Sequence, residues 1–249
     1  MIHFITLSIF PQIFESPLNY SIIKRAKDKN LIKFTHYDIR DFSTNKHKNV
    51  DDQIYGGGAG QLMTPQPIFD AIKYIKQEYG DIKTIFFTPK GRQLNTKLVK
   101  KFALAPQPPK GGELEGVKMT YLLLSGRYEG IDNRIREHLI DEEISIGDYI
   151  LSGGEFASLI FIDAITRYIE GALGNEESLH DESFEDNLLE YPQYTRPANF
   201  RGMKVPDILL SGNHQKIKEW RYQESLKITN KVRKDLIAPQ SPKGEVYRK

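Results

Sequence analysis

Cysteine is missing altogether from the 249 residues. That excludes disulfides, a thiolate nucleophile and any cysteine-ligated metal. The histidines (His3, His36, His47, His138, His180 and His214) are scattered, with no pair at metal-ligand spacing, so no structural metal is assigned. No apolar run approaches the roughly 18–20 residues of a membrane span. Nor does the amino terminus show a basic region followed by an apolar stretch and a small-residue cleavage site. The expected location is therefore cytoplasmic. A Gly-x-Ser-x-Gly elbow is lacking, which leaves a serine hydrolase unsupported. No Gly-Lys-Ser/Thr follows the glycines at 56–60, so they are not a Walker phosphate loop. Ser8-Ile9-Phe10-Pro11, after the first strand, lacks the glycine fingerprint of a nucleotide-dependent dehydrogenase.

What is present is an ordinary globular balance, 39% hydrophobic and 27% charged, enough for one large domain or one domain plus a small one. The formal net charge of +2 conceals an asymmetry. Residues 192–249 carry a balance of +8 and residues 174–191 a balance of −7. A basic carboxy-terminal module is the usual electrostatic footprint of a polyanion partner, although charge runs are more often solvated surface.

Taken in order, Ile2–Phe10 reads as a first strand, Pro17–Lys29 as a helix opened by Ser16-Pro17, and Lys33–Ile39 as a second strand. Residues 40–62 show no apolar periodicity and read as a long loop of the kind that is either functional or disordered. Thr64-Pro65 opens a helix whose core face is Ile68, Ala71, Ile72 and Ile75. Thr84–Thr88 is a strand with a turn at Pro89–Arg92, and Asn95–Ala105 is a helix. This alternation is that of an α/β fold with a mainly parallel sheet. Prolines and glycines in 105–118 then exclude regular structure. Ala105–Gly111 (APQPPKG) recurs as Ala238–Gly244 (APQSPKG), and both read as one surface element used twice.

The chain is organised around Tyr121–Glu155. Apolar Tyr121–Leu124 ends at Ser125-Gly126; Ile144–Ile146 ends at Gly147-Asp148; Ser152-Gly153-Gly154 opens an apolar helix, Glu155–Glu170. Each junction taken alone is an ordinary βα turn. Three together, with Arg127, Glu129, Asp148 and Glu155 close by, favour a ligand site, because open α/β sheets bind at the carboxyl ends of their strands. Beyond them lie an irregular acidic stretch, a proline-bearing segment (191–207), a basic helix after Ser211-Gly212-Asn213, and a short last helix to about Leu236.

The segments LSGRYEGID (Leu124–Asp132) and SIGDYILSGGE (Ser145–Glu155) resemble the bacterial tRNA (guanine-N1)-methyltransferases, the TrmD family of the SPOUT class. So do VDDQIYGGGAG (Val50–Gly60), TPKGR (Thr88–Arg92), YTRP (Tyr194–Pro197) and LLSGNHQKIKEWR (Leu209–Arg221). The resemblance covers roughly residues 1–104 and 117–236. It implies a SPOUT-type α/β domain with a deep trefoil knot over residues 1–172, in which 105–118 is an insertion. An acidic linker, 173–191, and a small all-helical, basic, tRNA-binding domain with a disordered tail, 192–249, would follow. Methyl transfer from S-adenosylmethionine to N1 of the guanosine 3′ of the anticodon (position 37) is the implied reaction. An obligate homodimer with active sites at the subunit interface is the implied assembly. Mg²⁺ assistance is implied too, and nothing in the sequence locates the ion.

Carried over residue by residue, the cofactor would be bound by Phe86, Phe87, Thr88, Pro89, Gly126, Arg127, Tyr128 and Glu129, together with Ile146, Gly147, Asp148, Tyr149, Ile150, Leu151, Gly153 and Gly154. Asp51, Tyr55, Gly58, Ala59, Gly60 and Glu129 would meet the substrate, as would Arg196, Ser211, Gly212, Asn213 and His214. On spacing alone the glycine cluster is a flexible loop; the resemblance makes it bare backbone against a flat guanine.

Guanine N1 carries a proton at neutral pH, so its methylation needs a positioned base. Charge then builds on O6, which a cation or amide donors must stabilise. In the family an arginine of the helix after the third turn and an aspartate just before Ser-Phe fill these roles. Here the arginine is Arg167, and Asp181-Glu182-Ser183-Phe184 departs from the pattern. Glu182 occupies the matching position and is the favoured base; a register slip by one would give the role to Asp181. The rival reading is a non-catalytic tRNA-binding protein that keeps the knotted fold. Its support is that acid exchange, and the carboxy-terminal part also looks shorter than in the family. The intact glycine turns favour an enzyme.

Overall fold

Five parallel strands in the order β2-β1-β6-β5-β7 form the central sheet. They are β1 (Ile2–Ser8), β2 (Ile32–Asp38), β5 (Lys83–Gln93), β6 (Met119–Leu124) and β7 (Glu142–Ser145). The computed structural model describes residues 1–104, 119–174 and 182–237. Segment 105–118, expected to be an insertion, the carboxy-terminal repeat and tail, and Asp181 lie outside the described residues.

Every residue of β1 is buried, as expected of a parallel strand covered on both faces. The period-two geometry of a strand then splits the core. Tyr121 and Leu123 of β6 join Phe4, Phe87, Phe102 and Phe161 on one face. Leu122 and Leu124 join Ile5, Leu7, Ile68, Ile72 and Ile75 on the other. The first face is covered by α1 (Ser21–Asp28), α3 (Thr96–Ala103) and α5 (Glu155–Thr166). The second is covered by α2 (Pro65–Tyr79) and α4 (Asn133–Leu139).

Local sequence explains the helix starts. Proline occupies the first turn of α2, where no backbone donor is needed. Asn95 caps α3 by accepting from the Leu98 N–H, and Asp132 caps α4 by accepting from the Arg134 N–H at 2.9 Å.

Several boundaries differ from expectation. Ser16-Pro17 begins a 3-10 turn, Pro17–Asn19, rather than α1, which starts at Ser21. The Pro89–Arg92 turn lies inside an eleven-residue β5, as a bulge that shifts the pairing with β7 between Phe87 and Arg92. Gly91 permits it, since a Cβ there would lie 2.4 Å from the Ile144 nitrogen. α5 ends at Thr166, not Glu170. The 40–62 loop holds an antiparallel hairpin, β3 (Asp51–Gln53) with β4 (Gln61–Met63).

The chain divides into two compact units, Met1–Gly174 and Asn175–Lys249. In the second, α7 (His214–Val232) is preceded by α6 (Asp207–Leu210) and followed by α8 (Lys234–Ile237). A two-residue β-ribbon, β8 (Asn199–Phe200) with β9 (Met203–Lys204), adds strand to a unit expected to be all-helical. The Leu189 N–H donates to Thr229 Oγ1 on α7 at 2.8 Å, so the end of the acidic stretch packs within this unit.

Candidate active site

At the bulge of β5 and the carboxyl ends of β6 and β7 lies a cavity of about 430 Å³. Its walls are the strand ends and the three glycine turns. Phe86, Phe87, Thr88 and Pro89 line it, with Gly126, Arg127, Tyr128 and Glu129 from the turn after β6. Ile146, Gly147, Tyr149, Ile150, Leu151, Gly153 and Gly154 close it. Asp148 alone of the residues assigned to the cofactor is not in the wall. Lys90, Arg136 and Ala157 line it without having been anticipated.

Glycine is required at specific points. A Cβ on Gly126 would stand 3.0 Å from the Phe86 ring, so ring and bare backbone meet across the cavity floor. Gly147 has φ +148°, and a Cβ there would come within 2.5 Å of the Tyr149 ring.

Behind the wall sits an ion pair. Glu155, the first residue of α5, is fully buried. Its Oε1 accepts from Ser8 Oγ at 2.6 Å and from Arg127 Nε at 3.1 Å. Its Oε2 lies 3.0 Å from Arg127 Nη2. Arg127 also donates from Nη1 to the Ser152 carbonyl at 3.2 Å, and its guanidinium lies over Phe10. The Gly154 N–H donates to the Gly126 carbonyl at 3.0 Å, joining the first turn to the third.

The hairpin is fastened to the same turn. The Glu129 N–H donates to the Gln61 carbonyl, and Met63 exchanges backbone hydrogen bonds with Gly130 and Asp132. The Glu129 side chain lies directly over Gly60, where a Cβ would stand 2.6 Å from Oε1. Tyr55 at the hairpin tip is 99% exposed. Tyr128 holds a positive φ of 58° beside Asp51. Burial first, then the Asp51 carboxylate, pushes its phenol pKa up.

A family model described as tRNA (Guanine-1)-methyltransferase TrmD matches residues 2–239. The chain belongs to this family. A tRNA (guanine-N(1)-)-methyltransferase of Clostridioides difficile is 50% identical over 239 residues, covering 95% of this chain and 98% of the relative. Proteins of the same name from Caldanaerobacter subterraneus and Geobacillus kaustophilus are 49% and 48% identical, covering 94% and 93% of this chain and 91% and 89% of their own lengths.

The remaining TrmD-pattern residues fall in two places. Arg167 is half-buried at the carboxyl cap of α5. In the second unit, Asn213 caps α7 by accepting from the Lys216 N–H at 3.1 Å, with Ser211, Gly212 and His214 exposed beside it. Arg196 is exposed and precedes a cis proline, Pro197. Glu182 begins a tight turn in which the Ser183 hydroxyl accepts from the Glu190 N–H at 2.9 Å. Among the described residues no group of three or more His, Asp or Glu side chains could hold a metal ion. No described helix is long and apolar enough to cross a membrane.

Proposed function

We propose that this protein transfers a methyl group from S-adenosylmethionine to N1 of the guanosine 3′ of the anticodon in tRNA, position 37. The observation that carries the reading is the cavity at the three glycine turns, formed by the residues the family pattern assigns to the cofactor. It fits an adenosyl compound in chemistry as well as size. Apolar walls such as Phe86, Ile146 and Leu151 suit a flat base, and strand-end backbone groups suit its polar edge. When bound, S-adenosylmethionine supplies an electrophilic methyl on a sulfonium centre.

The chain's own residues do the rest. Glu182 takes the N1 proton, and Arg167 stabilises the negative charge that develops on guanine O6. The Gly56–Gly60 hairpin tip gives the guanine bare backbone, and Glu129, held over Gly60, orients it. Asp51 and Tyr55 of the hairpin, and Arg196 and Ser211–His214 of the second unit, bind the surrounding tRNA.

The threading of a trefoil knot is supported by the path of the chain. It leaves edge strand β7 and returns to the end of β1, where Glu155 meets Ser8. A homodimer is supported by α5, which exposes Phe156 and Ile160 one turn apart while burying Phe161, Ile162 and Ile165. A cytoplasmic location follows from the substrate.

The test uses purified protein, labelled S-adenosylmethionine and two tRNA transcripts, one with G and one with A after the anticodon. Label on the G transcript alone is the expected result. Label on neither, with tRNA still bound, would leave a binding protein.

A further inference from the structure

The Arg127–Glu155 pair plays no part in the chemistry above, yet it is the most deeply buried ionic contact at the site. Glu155 is fully buried, and taking a carboxylate out of water is costly unless every lone pair is met. Here Ser8 and Arg127 Nε both donate to Oε1, while Oε2 accepts no hydrogen bond and is met only by the charge of Arg127 Nη2 at 3.0 Å. Arg127 is thereby committed. Its Nε and Nη2 face Glu155, its Nη1 holds the Ser152 carbonyl, and its guanidinium face lies on Phe10. All three guanidinium nitrogens thus face groups of the chain itself.

The glycine of the third turn fits this arrangement. A Cβ on Gly153 would fall 2.2 Å from Arg127 Nε and 2.5 Å from Glu155 Oε2. The bare backbone of Gly153 is therefore the seat of the ion pair, and not only an approach for a ligand. Three segments remote in sequence are joined by one carboxylate: the end of β1, the turn after β6, and the turn that opens α5. The last two are cavity walls.

We propose that Glu155 is a positioning residue for methyl transfer. Through Arg127 it fixes the Ser152–Gly154 turn at the spacing the cofactor needs, and Arg127 acts as a strut and not as a cofactor ligand. This rests on the reading that the cavity holds S-adenosylmethionine.

The test compares Glu155→Gln, Gly153→Ala and the double variant Arg127→Met/Glu155→Met with the parent protein. Calorimetry gives the Kd for S-adenosylmethionine, kinetics give KM for both substrates, and thermal unfolding without ligand gives stability. Both single variants should weaken S-adenosylmethionine binding by about ten- to a hundred-fold, the scale of a wall displaced by about 1 Å. KM for tRNA should not change. The double variant leaves no buried charge unpaired, so it should recover thermal stability while binding the cofactor as weakly as Glu155→Gln. If cofactor binding recovers along with stability, the pair merely holds the fold and the proposal is overturned. A rise in KM for tRNA alone would overturn it as well. Ile150→Arg separates the two readings, because Ile150 is 80% exposed and lines the cavity, so folding is not at stake. Unchanged S-adenosylmethionine binding in Ile150→Arg would remove the cavity reading and this one with it. Loss there, with parental binding in Glu155→Gln and Gly153→Ala, would remove the positioning role alone.

Discussion

The carboxylate of Glu129 rests on the backbone of Gly60, so close that a methyl group on Gly60 would lie 2.6 Å from Oε1. The glycine also has φ +89°. Gly60→Ala is thus doubly opposed, by conformation and by contact. It should cost about 1–2 kcal/mol of stability. By moving Glu129 it should lower kcat/KM for tRNA about tenfold or more. Because Glu129 also lines the cavity, S-adenosylmethionine binding should weaken as well, and a urea titration with a steady-state assay measures both losses.

Removal of the proposed proton acceptor should strike the chemical step. Glu182→Gln and Arg167→Ala should each reduce kcat by roughly 10²–10⁴ with S-adenosylmethionine still bound. Asp181→Asn should stay near the parent rate. Single-turnover kinetics decide it; a full rate in Glu182→Gln and a collapsed one in Asp181→Asn would move the role by one residue.

His3 is 1% exposed, accepts or donates at 2.8 Å with Thr35 Oγ1, and meets Tyr79 edge-on. Burial, then the Lys33 charge, lowers its pKa from 6.5 to about 4. His36 is lowered in the same direction, chiefly by burial. Between pH 6.5 and 4 the unfolded chain takes the proton and the folded chain refuses it, so stability is full above that window and falls as pH drops through it. A loss on the order of 2 kcal/mol between about pH 7 and about pH 4.5 is expected in urea unfolding, with a flatter profile for His3→Gln.

Phe156 is 52% exposed and Ile160 45% exposed, with Asp163 exposed a turn further on, while Phe161, Ile162 and Ile165 of the same helix are buried. Phe156→Asp should convert a dimer to a folded monomer by light scattering and abolish turnover. A variant that elutes and turns over like the parent would dismiss this face of α5 as the subunit contact.

α7 carries Lys216, Lys218, Arg221, Lys227 and Lys231. If Lys216 and Lys218 reach phosphates, alanine at either should weaken tRNA binding several-fold. The slope of log affinity on log salt should fall by about one for each phosphate no longer neutralised. Equal affinity at all salt concentrations would place the tRNA elsewhere.

The legible parts of the sequence were those where one residue type has one physical use. Buried parallel strands read as apolar runs, and helix α2 as Pro65 followed by Ile68, Ala71, Ile72 and Ile75. The glycine turns read as a site because a strand end followed by glycine is a binding geometry. Less legible were elements held by distant partners. The β3–β4 hairpin draws its hydrogen bonds from Gly130 and Asp132, which no local pattern announces. α4 spans seven residues and buries only Ile135. The role of Arg127 could not be read from its motif, because its partner is 28 residues on and the pairing depends on a fold already made. One signal was available. A glycine two residues before the glutamate, Gly153, leaves room for a second side chain, and an arginine was at hand.

The hydrogen bond from Ser8 to Glu155 closes a loop of 147 residues. A nascent chain therefore holds the first half of its pocket long before it can complete it. Until the segment after β7 has been synthesised and drawn back to β1, the walls at Phe86 and Gly126 face open solvent. Such long-range closure is slow to find, because entropy is lost before any contact repays it. If the proposed cavity holds the methyl donor, the donor touches all three turns and stabilises only the finished arrangement.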